Sequence, residues 1–350
     1  MARALELARR GLGYTSPNPC VGAVLWKGGK IIGEGYHTRA GRPHAEVEAV
    51  RDARKRGNGA RIAGATLYVT LEPCSTVGRT PACTDLIRRE KIARVVVAAR
   101  DPNPDHAGAG FEILRRAGVN VSTGLLAEES AGLNHAFNHW IVTRRPWVTA
   151  KIARSLDGKI AARSGSGDDR WLTGPESRRL AHELRRESDA IVVGGETVRQ
   201  DNPKLTIRLP GRRKPQPWRI VWSRSGDFPA ALHLFSDAHR ERTRRVRGSL
   251  KKIMAELGSE EITHVLLEGG GHLLAEAFAA GIVNEVAFFI APIALGTEAE
   301  AVAAIPGIPR TIALADPSWR KVGADLFCRA RVVPAAASPK VIRAPARSLR

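Results

Sequence analysis

Three side chains of the kind that zinc prefers stand near one carboxylate in the first half of the chain. His44 and Glu46 are two residues apart, and Cys74, which follows a proline, precedes Cys83 by nine residues. One imidazole and two thiolates supply three ligands and leave a fourth position for water. Zinc lowers the pKa of bound water from about 15.7 to about 7. Glu46 would carry the water proton to a leaving ammonia, which is the chemistry of a zinc deaminase.

Each of these residues also has an ordinary interpretation. A cysteine is often a buried free thiol, and a single histidine is more often a polar residue than a ligand. Nucleobase deaminases usually show P-C-x-x-C, whereas eight residues separate Cys74 from Cys83. A structural zinc site would need a fourth protein ligand, for which His37 is the nearest candidate. The combination favours a catalytic metal site, and we expect Cys20 and Cys328 to be packed thiols.

The length and composition limit the number of domains and the class of protein. A chain of 350 residues is long enough for two domains. It has no run of about 18 apolar residues, so no transmembrane helix is expected, and its first residues show no apolar core of a signal peptide. Four cysteines do not form a disulfide scaffold. We therefore expect a cytoplasmic globular protein.

The charge is strongly positive. Lys and Arg number 55 against 35 Asp and Glu, for a formal charge of +20. The excess is spread along the chain and is densest at 239–252, where seven basic residues accompany one glutamate. Solvated helix faces explain such a balance more readily than nucleic-acid binding does, and aromatic residues make up only 5% of the chain, which is few for a stacking platform. A general field that attracts phosphorylated small molecules is a third interpretation.

Strands alternate with helices along both halves, which predicts layered α/β domains. In the first half the pattern predicts strands at 21–26, 30–36, 66–71, 94–99 and 119–123, and helices at 2–12, 45–56, 84–90, 110–117 and 128–143. In the second it predicts strands at 147–153, 190–193, 219–222, 264–268, 283–293 and 326–333, and helices at 175–187, 250–257 and 272–280. The predicted domains are 1–145 and 146–333, followed by a basic, disordered tail at 334–350.

The second half offers weaker chemical signals. It has no G-x-G-x-x-G after its first strand, so a dinucleotide-binding fold of that type is poorly supported. Glycines at 194–195 and 269–271 follow predicted strands. They would let backbone amides approach an anion, although two ordinary tight turns explain them equally well from the sequence.

Several stretches resemble the RibD family of bifunctional riboflavin biosynthesis proteins. In the first half they are 15–24 (TSPNPCVGAV), 43–46 (PHAE), 71–75 (LEPCS), 78–84 (GRTPACT) and 101–104 (DPNP). The long cysteine spacing is that family's own pattern, and the resemblance runs from about residue 3 to residue 333. It implies a cytidine-deaminase-like three-layer domain followed by a dihydrofolate-reductase-like α/β domain.

The resemblance implies two successive reactions. An amino group of 2,5-diamino-6-ribosylamino-4(3H)-pyrimidinone 5′-phosphate is removed by hydrolysis, and the ribosyl group of the product is then reduced to ribityl with NADPH. By the same resemblance, His44, Cys74 and Cys83 are the zinc ligands, Glu46 is the proton carrier, and Asn18 contacts the substrate.

In the second half, 151–158 (KIARSLDG), 171–175 (WLTGP), 197–208 and 268–271 (EGGG) carry the resemblance. It implies that the NADPH site is lined by Ala153, Trp171, Thr197, Asp201, Gly270, Gly271, His272, Leu273 and Leu274. It implies substrate contacts from Asp169, Arg185, Leu205, Arg208 and Glu268. The arginines are expected on the phosphate, because a guanidinium fork suits that group.

The sequence departs from the family pattern in four places. Thr76-Val77 stands where one or two histidines are common. About two extra residues precede Trp171, and Asp169 replaces a usual serine. Ser223-Arg224 stands where the family shows an Asp-Ser pair. The segment 228–249 is short and very basic, which leaves open that a strand–helix element bordering the cofactor is missing.

Three functional hypotheses follow. The first is a bifunctional zinc deaminase and NADPH-dependent reductase acting on a phosphorylated pyrimidine. The second is an active deaminase whose reductase half is impaired or only structural. The third is a basic nucleic-acid-binding protein with a deaminase-like fold. We expect no membrane partner and leave a homo-oligomer open.

Overall fold

The computed structural model describes residues 1–76, 81–104, 106–160, 171–211, 214–296, 302–303 and 311–334. The chain divides into two compact units, one formed by Met1–Pro146 with Leu257–Thr263 and the other by Trp147–Glu256 with the residues from His264 onward. Asp169, Val77 and the tail from 335 lie outside the described residues. Within the described part, no helix is long and apolar enough to cross a bilayer.

The first unit is built on a five-stranded mixed sheet in the order β2-β1-β3-β4-β5. Its strands are β1 Gly22–Lys27, β2 Lys30–Tyr36, β3 Thr66–Leu71, β4 Arg94–Ala99 and β5 Asn120–Thr123. Its helices are α1 Ala2–Arg9, α2 Ala45–Lys55, α3 Cys83–Arg89, α4 Ala109–Arg116, α5 Ala127–Leu133 and α6 His135–Thr143. β1 is antiparallel to β2 and β3, whereas β3, β4 and β5 are parallel.

Side-chain alternation along β1 gives this unit two cores. Leu25 faces the larger cluster, which includes residues of α2, α3 and α4. Val24 points to the other face and packs with Ala4 and Leu7 of α1. Because successive residues of a strand point to opposite faces, helices cover both sides of the sheet. This is the predicted three-layer arrangement.

Two glycines let α2 lie directly on β2. A Cβ at Gly33 or Gly35 would collide with backbone atoms of Ala49. The absence of these side chains therefore sets how closely α2 approaches the sheet, and with it the position of the residues at the start of that helix.

The single helix predicted over 128–143 is wrong, because the segment forms two helices that meet at Asn134. The buried Asn134 side chain accepts from the Cys20 N–H at 2.7 Å and donates to the Cys20 carbonyl at 3.0 Å. A side chain that satisfies backbone groups elsewhere can end one helix and begin the next.

The second unit contains an eight-stranded sheet in the order β10-β9-β8-β11-β6-β12-β15-β14 and a separate β13-β7 pair. Its strands are β6 Trp147–Arg154, β7 Lys159–Ile160, β8 Ala190–Gly194, β9 Trp218–Trp222, β10 Thr243–Val246, β11 His264–Glu268, β12 Glu285–Ile290, β13 Val302–Ala303, β14 Leu314–Val322 and β15 Asp325–Val332. Its helices are α7 Pro175–Glu187, α8 Gly195–Asp201, α9 His233–Ser236, α10 Leu250–Ser259 and α11 Gly271–Ala279. The end of α10 groups with the first unit.

The strands from β10 through β12 in that order run parallel, and β15 and β14 are antiparallel additions. Ile191 and Val193 on β8 belong to one core cluster, and the intervening Val192 is also fully buried. Strands covered on both faces are typical of parallel sheets with helices on each side.

The basic segment 228–249 contains a short helix and a short strand. It holds α9 and β10, and β10 pairs in parallel with β9. The Arg242 and Arg244 guanidinium carbons lie 4.5 and 4.1 Å from the centre of the Trp218 ring. Such stacking accommodates Arg244 on the strand and Arg242 just before it without burying their charges. The density of cations is why the charge pattern concealed the strand.

Candidate zinc centre and reductase site

The three predicted zinc ligands come from three different elements. His44 is the residue before α2, with extended backbone at φ −71° and ψ 165°. Cys74 lies in the loop that leaves β3, and Cys83 is the first residue of α3. The Cys83 N–H also donates to the Cys74 sulfur at 3.3 Å. Two helix starts and one strand end therefore bring the imidazole and both thiols together.

The spacing of these ligand atoms suits a zinc ion. His44 Nδ1 lies 3.5 Å from Cys74 Sγ and 3.4 Å from Cys83 Sγ, and ligand atoms of all three residues lie within 4.8 Å of one another. Tetrahedral zinc, at about 2.0 Å from nitrogen and about 2.3 Å from sulfur, would hold such N and S atoms about 3.6 Å apart. The donor set thus fits zinc in both chemistry and geometry.

The two thiols differ in acidity. A hydrogen bond from Cys83 and the neighbouring His44 lower the pKa of Cys74 to about 4, against the opposing effect of burial. The hydrogen bond to Cys74, together with burial, raises the pKa of Cys83 well above its ordinary value. The pair holds one negative charge readily, and a cation is needed before both sulfurs ionise.

Glu46 lies in the first turn of α2 and is only 4% exposed. Burial, and secondarily the charge of Cys74, raise the pKa of this carboxyl. A carboxyl with a raised pKa accepts a proton more readily near neutral pH. Its location two residues after His44 agrees with the role expected from the H-x-E spacing.

His37 is not among the residues grouped as a metal site in the described part of the chain. It is 2% exposed, its Nδ1 lies 3.1 Å from the Pro43 carbonyl, and its Nε2 lies 3.1 Å from Asn18 Nδ2. Since a carbonyl can only accept, Nδ1 carries the proton and Nε2 accepts from Asn18. His37 therefore orients the amide of the predicted substrate contact.

Sequence reasoning missed the structural role of Glu72, two residues before Cys74. This buried carboxylate accepts from the backbone N–H groups of Asp101, Gly108 and Gly110, at 3.2, 3.1 and 3.0 Å. It ties the 101–110 segment to the loop that carries Cys74. An acidic residue beside a proline and a cysteine was the available signal, but its partners lie at least 29 residues away.

In the second unit, two predicted substrate residues face each other as an ion pair. Arg185 donates to Glu268 through Nε at 2.6 Å and through Nη2 at 2.8 Å, and its Nη1 donates to the Thr206 carbonyl at 3.1 Å. Burial opposes ionisation of Glu268, yet Arg185 outweighs it and lowers the pKa of Glu268 to about 2. All three nitrogens of the Arg185 guanidinium thus donate hydrogen bonds within the protein.

Further polar groups surround this pair. Lys151 on β6 stands opposite Glu268 in the strand register, and burial lowers the pKa of its ammonium. Arg208 is exposed, and its Nη1 donates to the Thr206 hydroxyl at 3.2 Å. His182 Nδ1 accepts from the Arg208 N–H at 3.3 Å, and burial with Arg185 nearby lowers the pKa of His182 to about 4. The cluster contains a neutral imidazole and three cations facing one buried carboxylate.

The glycine turns of this unit meet at the carboxyl ends of β8 and β11. The Gly270 N–H donates to the Thr197 hydroxyl at 3.0 Å, and a Cβ at Gly270 would lie 3.3 Å from that oxygen. Half-buried glycine backbone bounded by a hydroxyl suits a phosphate-bearing cofactor at the end of parallel strands. This cradle fits the NADPH expected from the sequence.

The remaining predicted cofactor residues lie around that cradle or on its supporting elements. Gly271, Leu273 and Leu274 are buried at the start of α11, so only their backbone is available, whereas His272 is exposed. Ala153 is half-buried near the end of β6, and Asp201 is exposed at the end of α8.

Two other predicted contacts differ sharply in exposure. Trp171 is 45% exposed, with the Arg178 guanidinium carbon 5.6 Å from the centre of its ring. Leu205 is 3% exposed and packs in the core of the unit. Leu205 can therefore offer a ligand only its backbone.

Comparisons with known proteins match both units. The family model described as "RibD C-terminal domain" matches residues 146–328. The model described as "Cytidine and deoxycytidylate deaminase zinc-binding region" matches residues 1–99. The first match ends within β15, and the second covers the segments that carry all three ligand residues.

Individual relatives extend over most of the chain. The riboflavin biosynthesis protein RibD of Aquifex aeolicus is 43% identical over 317 residues, covering 85% of this chain and 87% of that protein. The Escherichia coli protein of the same name is 39% identical over 342 residues, covering 89% and 91%. The solved structure of Acinetobacter baumannii RibD is 33% identical, with a TM-score of 0.84, and covers 95% and 97%. A Thermotoga maritima structure described as a diaminohydroxyphosphoribosylaminopyrimidine deaminase and 5-amino-6-(5-phosphoribosylamino)uracil reductase is 35% identical, with a TM-score of 0.82 and coverage of 95% and 97%.

Proposed function

This chain belongs to the RibD family of riboflavin biosynthesis deaminase–reductases, and we propose that its first unit deaminates a phosphorylated diaminopyrimidine and its second reduces the ribosyl group of the product. The observation that carries the proposal is the approach of His44, Cys74 and Cys83 beside a buried Glu46. The domains are 1–145 and 146–333.

For the deamination, His44, Cys74 and Cys83 hold zinc. When bound there, zinc would supply a water that is acidic enough to attack at neutral pH, since the metal lowers the pKa of such a water to about 7. Glu46 would take a proton from the attacking water and pass it to the departing amino group. The net reaction consumes one water, replaces a C–NH₂ group by C=O and releases ammonia.

Asn18 supplies orientation rather than proton transfer. His37 accepts one N–H of its amide, and the buried His37 is held in turn by the Pro43 carbonyl. Burial lowers the pKa of His37, so the imidazole stays neutral and keeps accepting. We propose that the remaining groups of the Asn18 amide contact the substrate.

For the reduction, NADPH supplies the hydride, and the substrate brings a ribosyl phosphate. Thr197 and the Gly270–Leu274 turn hold the cofactor with Ala153, Trp171 and Asp201. Glu268 and Arg185 contact the substrate as a pre-formed ion pair. Leu205 contacts it through its backbone. Arg208, whose side chain is exposed, meets the phosphate. Asp169 completes the predicted substrate contacts.

A product assay tests both activities on the full zinc-loaded chain. We expect the diaminopyrimidine to release ammonia without NADPH, and NADPH to be oxidised only after that release. Glu46→Ala should abolish ammonia release, whereas Glu48→Ala on the same helix should not. Ammonia release by Glu46→Ala at the wild-type rate would refute the deaminase mechanism.

Other outcomes would support the alternatives. An impaired reductase would let the ribosylamino-uracil accumulate with excess NADPH, which the α9 and β10 elements of segment 228–249 argue against. Tight, salt-sensitive nucleic-acid binding would instead support the third hypothesis. A cytoplasmic location and a homo-oligomer stay predictions for fractionation and sedimentation experiments.

A further inference from the structure

The segment 205–208 carries two of the predicted substrate contacts, Leu205 and Arg208, yet it belongs to no helix or strand. Leu205 has a φ of +49°, in the left-handed region that disfavours residues with a Cβ, and its side chain is buried in the core. A backbone of this kind keeps one conformation only when its surroundings hold it. The residues that follow Leu205 accordingly find their hydrogen-bond partners in other parts of the unit.

Gln216 takes the place of a neighbouring strand at Ile207. Its side-chain Oε1 accepts the Ile207 N–H at 2.6 Å, and its Nε2 donates to the Ile207 carbonyl at 3.4 Å. Because a backbone N–H can only donate, the oxygen of the amide must face it. One side chain thus offers an acceptor and a donor to the same residue, as a residue of a paired antiparallel strand would.

The chain around Gln216 is stiff. Prolines stand on both sides of it, at 215 and 217. Proline fixes its own φ and restricts the residue before it to extended backbone, so Gln216 has little freedom. Lys214 also donates to two carbonyls at the end of α7, at 2.6 and 3.2 Å, and β9 begins at Trp218. The Gln216 amide is therefore presented from a segment anchored at α7 and at β9.

Two residues of α7 hold the backbone on either side of Ile207. Arg185 Nη1 donates to the Thr206 carbonyl at 3.1 Å, and His182 Nδ1 accepts the Arg208 N–H at 3.3 Å. Burial, with two arginines nearby, lowers the pKa of His182 to about 4, so the imidazole is neutral and can accept near pH 7. Four successive backbone groups, from the Thr206 carbonyl to the Arg208 N–H, are thus bonded to side chains from outside the segment. We call these three side chains the 206–208 clamp.

The 206–208 clamp fixes the place from which the Arg208 side chain extends. Its guanidinium is exposed, and one nitrogen donates to the Thr206 hydroxyl at 3.2 Å. A guanidinium on an exposed side chain can bind a phosphate through paired hydrogen bonds. Affinity from such a long side chain rises when part of its ordering is achieved before the ligand binds. The clamp supplies that ordering at the backbone.

We propose that Gln216 is a positioning residue of the reductase, which acts through Ile207 to place Arg208 where the substrate phosphate binds. This inference rests on the proposed reduction of a phosphorylated ribosyl compound. Gln216 acts through the backbone, since its amide is turned to Ile207. Its loss should weaken binding of the phosphorylated substrate and spare turnover at saturation, because the clamp serves a phosphate contact.

Steady-state kinetics on the full zinc-loaded chain tests this, with the deaminated product as substrate and its dephosphorylated form for comparison. Gln216→Met removes both bonds to Ile207 at similar volume, and Gln216→Glu keeps an acceptor for the N–H. Asn284→Leu is the matched control, because Asn284 Oδ1 also accepts a backbone N–H, that of Val148 at 2.8 Å. Val148 lies at the amino end of β6, whereas Glu268 lies at the carboxyl end of the parallel β11.

We expect Gln216→Met to raise KM for the phosphorylated substrate by about tenfold while kcat stays within about twofold. KM for the dephosphorylated substrate and for NADPH should not change. Gln216→Glu should recover much of the loss, and hydrogen exchange at the Ile207 amide should accelerate in Gln216→Met but not in Gln216→Glu. Asn284→Leu should leave every KM unchanged, whatever its effect on stability.

Several results would overturn the proposal. They are an equal rise in KM for both substrates, a fall in kcat with KM unchanged, and a Gln216→Glu protein no better than Gln216→Met. If Gln216→Met does not fold, Gln216→Asn makes the same test, since its amide is one methylene too short for Ile207. An unchanged KM in that variant would likewise remove the positioning role.

The reductase function can fail separately. A wild-type chain that never oxidises NADPH with the deaminated product would refute the proposed reaction, whereas hydrogen exchange at Ile207 would still report on the clamp. A wild-type chain that reduces the product, with a Gln216→Met variant of identical kinetics, would retain the reaction and refute this inference.

Discussion

Arg185 and Glu268 lie 83 residues apart in the sequence and form an ion pair with two parallel hydrogen bonds of 2.6 and 2.8 Å. Their side chains are only 14% and 8% exposed. A buried pair of this geometry is costly to break from one side, because the remaining charge loses its partner. The pair therefore ties α7 to the carboxyl end of β11, where the substrate is proposed to bind.

The pH dependence of stability should report on this pair. The pKa of Glu268 is lowered to about 2 in the folded protein, so its contribution is present above the unfolded value of about 4.3 and is lost as pH falls toward 2. Glu268→Gln should destabilise the second unit by about 3–5 kcal/mol at pH 7 and flatten that acid-side loss. Urea unfolding at several pH values, monitored in both proteins, measures the difference.

A double variant that replaces both partners provides a control. Replacing both members, as in Arg185→Met with Glu268→Leu, should recover much of the stability because neither the guanidinium nor the carboxylate is left without the other. A Glu268→Gln protein that kept the wild-type slope between pH 2 and 4 would show that the pair does not set the pH dependence.

Zinc content should depend on Cys74 but not on another buried thiol of the same unit. Cys74→Ser removes the sulfur that ionises most readily and should reduce bound zinc well below one per chain, with loss of ammonia release. Cys20→Ser alters a thiol that is 5% exposed and contacts the Thr15 hydroxyl. Elemental analysis after dialysis should find that Cys20→Ser retains its zinc. Equal zinc in both variants would remove Cys74 from the ligand set.

Gly35→Ala should weaken the deaminase without touching a functional side chain. The added methyl would collide with backbone atoms of Ala49 and displace α2, which carries Glu46 and begins after His44. We expect a loss of about 1–3 kcal/mol in stability with a fall in kcat of ammonia release. Gly29→Ala tests whether the effect is positional, since space there is open although φ is +74°. It should lower stability only and spare kcat.

Glu72→Gln should loosen the 101–110 segment. The amide keeps one acceptor oxygen but presents N–H groups to backbone donors, leaving at least one buried donor unpaired at a cost of about 1–3 kcal/mol. Hydrogen exchange at Gly108 and Gly110 should accelerate by the corresponding factor. Unchanged protection of these amides would show that Glu72 does not hold the segment. Glu112→Gln, an exposed change on α4, serves as the reference.

The zinc centre was accessible to sequence reasoning because its residues lie at element boundaries. His44 and Cys83 stand at helix starts and Cys74 follows a strand, so local patterns that predict the elements also predict where these side chains emerge. The alternation of apolar residues likewise predicted most strands, since burial on a sheet has a period of two.

Other features depended on tertiary structure. Glu72 and Arg185 find their partners across 29 to 83 residues, and no local spacing encodes such contacts. The segment 228–249 read as a basic run because its arginines obscured the strand pattern, and only the neighbouring Trp218 ring explains how β10 carries them.

The sequence by itself thus determined the metal chemistry and the two-part α/β organisation, because ligand type and hydrophobic periodicity are local properties. Tertiary structure decided that Arg185 is held by Glu268, that Leu205 turns into the core, and that Arg199 and Arg247 meet at Ser225. These outcomes follow from how distant elements pack, and packing brings together charges that the linear order keeps apart.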